Sequence, residues 1–337
     1  MRTEPYEHGV VVLEAGQAGR SNASVSFISP EDNRVSTNIF ANTNGRSLGD
    51  LLRSYQEIEG KGYLLVSTND KVEVIENSTF RSIAVIDEGV EQCRYMVPGP
   101  PQSGFILKGY VSYWGGKTMA PGVAVVSLAD RKVIKQISVG QGPEQMAVVG
   151  DQLFVANSGG AIIGNTVSVI NTSTDQVVAS IPVGDVPTSV VYDPTGGLIH
   201  VLCSGRPTRL NAGGMTTAEI VRINPVTRQV VSRVSIGGRP ISGNPSNLVF
   251  HSASNRFYFL LKGAVYTSSV NASSISVDKP LINQPFTGLG VDPATGIIYG
   301  GYTRDSTRNA VIRRFQPSGV RIDSVAVGFV PNGFYFK

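Results

Sequence analysis

The chain has 337 residues, 41% hydrophobic and only 16% charged, with 38 glycines, 19 prolines and a formal net charge of +4. No run of 18 apolar residues occurs, which excludes a membrane-spanning helix. Its cations are dispersed rather than run together, which argues against a nucleic-acid tract. Residues 1–199 hold 14 Lys/Arg against 20 Asp/Glu (−6), and residues 200–337 hold 15 against 5 (+10), so the two halves carry opposite fields.

In chain order, MRTEPYEHG lacks an apolar signal core, and residues 1–8 are expected to form a disordered tail. GVVVLEA (9–15) reads as a strand, followed by a polar loop. Val25 opens an apolar alternation with an insertion around FANTNGRSLGD, and Val72 opens another that leads to Gly89. VAVVSLADRKVIKQISVGQGP (123–143), VSVINTSTDQVVASIPVGDVP (167–187) and IVRINPVTRQVVSRVSIGGRP (220–240) share an apolar start, a polar turn, then Gly and Pro at matching offsets. Val265 leads to Pro285 with Ile282 in the glycine's place, and Val311 leads to Gly328 and Pro331. Cys93 and Cys203 lie inside apolar strands and read as buried thiols.

The seven starts (25, 72, 123, 167, 220, 265, 311) recur every mid-forties residues, with four strands per unit, which is the period of a propeller blade. After Pro331 only NGFYFK remains, enough for one innermost strand, and the matching second strand is GVVVLEA. The expected fold is therefore all-β. It is a seven-bladed β-propeller of four-stranded antiparallel blades over residues 9–337, one domain closed by pairing its N- and C-terminal strands.

LFVANSGG (153–160), followed by VSVINTSTDQVVASIPVGDVPTSVVYDPTG, resembles the YVTN or YncE-type propeller repeat, here Phe154-Val155-Ala156-Asn157. The stretch VLEAGQAGRSNASVSFISPEDNRVSTNIFANTNGRSLGD, with CRYM, is similar to secreted propeller lipoproteins of the Bacteroidetes, including the cobamide-capturing BtuG-like proteins. That resemblance implies a non-catalytic binding protein outside the cytoplasm, in the periplasm or at the outer-membrane surface. It would capture a small molecule, such as a cobamide, or dock a TonB-dependent transporter. A monomer without a cofactor is expected.

Turns such as DPTGG (193–197) and NTSTD (171–175) are short and serve backbone geometry on one rim. The other rim collects longer loops, where binding resides on rigid scaffolds. They carry Arg20, Asn22, Tyr113, the only tryptophan Trp114, Lys117, Arg206, Arg209, Tyr302, Arg304 and Arg308. The links into the innermost strands bring Arg46, Asp50, Arg94, Tyr95, Gln145, Asn247 and Asn332 toward the axis. His8, His200 and His251 all lie away from that rim, so imidazole metal sites and a serine–histidine relay lack parts. Two alternatives stand: a metal-assisted hydrolase or lactonase using Asp50 and Glu144 at the axis, and a surface scaffold module.

Overall fold

A computed structural model describes residues 5–30, 32–207, 214–304 and 310–337. Seven antiparallel sheets form the ring, and their innermost strands surround a central channel. Blade 4 shows the complete plan, running outward through Pro143–Val149, Gln152–Asn157, Thr166–Asn171 and Gln176–Pro182. The second and third strands are buried almost end to end, because each is covered by a neighbouring blade on both faces. The outermost strand of the same blade is mostly exposed.

Blade 1 closes the ring from both ends of the sequence. Val10–Glu14 pairs with Pro331–Phe336 on one side and with Ser24–Ile28 on the other. Gly9 and Lys337 extend the ladder by exchanging backbone hydrogen bonds of 3.4 and 2.9 Å. The core is accordingly partitioned into seven apolar clusters, each at a seam between adjacent blades. Val10, Val12, Phe334, Phe336, Tyr299 and Ile312 fill the seam that exists only because the ends meet.

The repeated glycine has a packing reason. A Cβ on Gly140 would lie 2.6 Å from Asn157 Cγ, and one on Gly328 would collide with the Glu14 carboxylate. Glycine lets the link between blades pass directly over the end of the second strand.

Three features depart from expectation. Blade 6 has only Ser246–His251, Arg256–Leu261 and Ala264–Ser269 as regular strands. Its outer position is taken by an irregular segment touching Val265 through a single bridge at Ile282. Pro280 and Pro285 in that segment cannot donate to a ladder. The leading tail is docked at Tyr6, whose ring meets Phe27 and Phe80 edge-on at 5.3 and 5.5 Å. An aromatic ring gains more by filling that seam than by staying in water, which holds Tyr6 against blades 1 and 2. Finally, the connection GPPQSGFIL (99–107) in blade 3 is long although it joins the first two strands, leaving Phe105 and Leu107 exposed on the short-turn rim. The insertion in blade 1 folds as a helix, Ile39–Asn44, that buries Ile39 and Phe40 against blade 2.

Candidate functional site

The channel mouth is shaped by one backbone device used repeatedly. Leu51, Gln92, Gly142, Val186 and Val330 all have left-handed φ values between 50° and 60°. Each immediately precedes an innermost strand. The carbonyl of each accepts a hydrogen bond from the residue after the second strand, namely Ser67, Trp114, Ser158, Ser204 and Ala15. For a β-branched residue this conformation is costly, and the close pairing holds it in place.

A bulge follows at once. In every blade the register between first and second strands slips near the mouth. Bulges release side chains from the sheet's alternation and re-aim them. The released residues are Arg53, Arg94–Tyr95, Glu144–Gln145, Thr188, Asn247–Leu248, Thr287 and Asn332, a ring of mostly polar groups around the axis.

Part of the ring staples blades together. Arg94 forms a bidentate pair with Glu144 at 2.8–3.2 Å, and both are buried. The Trp114 indole lies 4.2 Å from the Arg94 guanidinium carbon, a cation–π contact that covers the pair. Burial pushes the Glu144 carboxyl above the ordinary carboxylate range, while Arg94 and then Arg53 pull it down. Thr287 Oγ1 donates to Pro331 O at 2.7 Å, and Asn332 Nδ2 donates to Leu52 O at 2.9 Å.

The rest of the ring faces a cavity of about 250 Å³ lined by Arg53, Tyr55, Tyr95, Gln145, Asn247, Asn332 and apolar neighbours. Burial, then Glu144, pushes the Tyr95 phenol up to about 12, so it is a neutral hydrogen-bonding group. The Asn332 Oδ1 atom is buried without a hydrogen-bond partner among the described residues.

Of the residues expected in binding, Arg94, Tyr95, Gln145, Asn247 and Asn332 therefore gather at the axis. Others are placed elsewhere. Arg20, Lys117 and Arg304 are exposed on separate loops. Arg46 pairs with buried Glu73 and Arg206 with Asp185 at 3.1 Å. Tyr113 is 3% exposed in a seam, and Tyr302 lies under the Arg313 guanidinium at 3.7 Å. Asn22 Oδ1 accepts from Gln17 N at 2.7 Å, and Asp50 Oδ2 accepts from Gly19 N at 2.7 Å, both bracing the first long loop. Arg209 and Arg308 lie outside the described residues. Among the described residues, no group of three or more His, Cys, Asp or Glu side chains is placed to hold a metal ion.

Arg53 was not among the expected residues. The signal that finds it is the bulge position it shares with Arg94, Glu144 and Thr188, which the blade-1 insertion shifts out of the repeat's numbering.

The family described as "Domain of unknown function (DUF5074)" matches residues 8–337. No curated protein sequence matches the chain. Solved structures share its fold. A quinonprotein alcohol dehydrogenase-like protein from Bacteroides thetaiotaomicron is 16% identical at a TM-score of 0.70, covering 98% of this chain and 78% of that one. A functionally unknown protein from Desulfotomaculum acetoxidans is 12% identical at 0.68, covering 98% and 99%. The Kuenenia stuttgartiensis hydrazine synthase is 16% identical at 0.58, covering 81% and 85%. At such identities the likeness establishes the propeller and nothing about chemistry.

Proposed function

The chain belongs to the DUF5074 family, and we propose that it is a non-catalytic propeller that captures a small molecule at its axial mouth. The observation that carries this reading is the bulge ring. It delivers Tyr95, Gln145 and Asn247 from three blades, together with Arg53, into one cavity. The resemblance to Bacteroidetes propeller lipoproteins supports a place outside the cytoplasm and delivery of the ligand to an outer-membrane transporter. A cobamide, the candidate that the same resemblance supplies, is too large to enter a cavity of about 250 Å³ and would have to rest across the mouth.

The test uses the cavity's small size. A panel of small molecules that includes cyanocobalamin is screened for a rise in melting temperature. It is run on the unaltered protein and on Gln145→Trp, which fills the mouth. Ligands that stabilise the first by several degrees are expected to leave the second unmoved. Equal stabilisation of both would place the site elsewhere, and a panel without a single hit would count against capture.

A further inference from the structure

Among the charged groups at the channel, one has no counterpart. Arg94 spends its guanidinium on both oxygens of Glu144, so that pair is neutral in sum. Arg53 stands beside it and makes no hydrogen bond or ion pair among the described residues, and no carboxylate lines the cavity that it faces. Its neighbours in that cavity are the Tyr95 hydroxyl, the Gln145 and Asn247 amides, and the unpartnered Asn332 Oδ1.

The Arg53 side chain is exposed at the mouth, where water solvates it in the empty protein and leaves it free to meet a ligand. Even so, desolvation and then the like charge of Arg94 pull it below the ordinary arginine value. Arginine's planar fork is also the geometry that reads carboxylate and phosphate oxygens two at a time.

From the lone guanidinium in a carboxylate-free cavity we infer that the axial site selects ligands bearing a negatively charged oxyanion group, which Arg53 receives. This rests on the capture reading above and adds the ligand's charge. Tyr95, Gln145 and Asn247 would hydrogen-bond the remaining polar atoms. Carboxylates and phosphates share the chemistry, and the experiment separates them.

Citrate and inorganic phosphate are titrated separately into the unaltered protein, Arg53→Gln, Arg53→Lys and Gln145→Trp. The buffer contains no carboxylate, phosphate or sulfate, glycerol serves as the neutral control, and Trp114 fluorescence and calorimetry report binding. At least one anion is expected to bind the unaltered protein, tenfold or more weakly to Arg53→Gln, and not to Gln145→Trp. Arg53→Lys should recover part of the loss. Without ligand, Arg53→Gln is expected to leave the melting temperature nearly unchanged, because the exposed guanidinium makes no bond there; a loss of several degrees would mark Arg53 as a structural group and overturn the inference. Failure of both anions to bind, or equal binding by Arg53→Gln, would also overturn it. A neutral ligand that binds the unaltered protein and Arg53→Gln alike, yet not Gln145→Trp, would remove charge selection and leave capture standing.

Discussion

The innermost and outermost strands of this ring obey different constraints. Every blade keeps an innermost strand of six or seven residues, and every one slips register at the channel mouth. The outermost strand runs seven residues in blade 4, shrinks to Val35–Ser36 in blade 1, and is missing as a regular element in blade 6. Where present it exposes apolar side chains such as Ile134, Val178 and Val231. Burial is thus concentrated inside the outermost strands and the candidate site lies at the axis, while little is packed beneath the rim.

Substitutions chosen from axis to rim test that gradient. Glu144→Ala strands Arg94 in a buried position, and breaking such a pair is expected to cost about 3–5 kcal/mol in urea unfolding. A loss below about 1 kcal/mol would mean that the staple is solvated and the gradient is wrong.

One strand outward, His200 is buried against Phe257 with both ring nitrogens unpartnered among the described residues. Burial, and secondarily Arg222, pulls it down to about 4 from 6.5. Unfolded, the ring takes a proton as the pH falls through 6.5; folded, it resists until about 4. Its contribution is complete above pH 6.5 and is lost as the pH drops through that window, up to about 3 kcal/mol. His200→Leu should flatten this part of the pH–stability curve, and identical curves for the two proteins would contradict a neutral folded imidazole.

In the link between blades, Gly140→Ala presses a methyl group onto Asn157 and is expected to cost about 1–3 kcal/mol. Asn157→Ala in the same chain should restore part of that loss if the collision is its cause. At the rim, Val178→Thr changes a side chain that is 43% exposed and should stay within about 0.5 kcal/mol. A larger effect there would show that the outer strands carry more than their burial indicates.

The repeat made the blades readable because each strand must alternate or be wholly apolar to fit between neighbours, and the leftover half-blades at the two ends pointed to closure. Reading failed where geometry left no compositional mark. Tyr113 looked like a loop aromatic but ends a buried strand, and its role depends on which blade lies across from it. Arg53 resembles any exposed strand residue until the register slip is seen. The irregular outer segment of blade 6 did leave a trace, since Ile282 replaces the glycine and prolines flank it. Trp114 was singled out as a loop residue; its packing against Arg94 required the fold.

The pairing of Val10–Glu14 with Pro331–Phe336 has a consequence for synthesis. During synthesis Val10–Glu14 can pair with Ser24–Ile28 early, but its other edge has no partner until Pro331–Phe336 has been made. Until then two blade faces stay wet, and any product halted earlier leaves them as adhesive surfaces. Such long-range closure is slow and exposes the chain to aggregation. Pairing across blade 1 therefore comes last, after every other blade has its strands in hand.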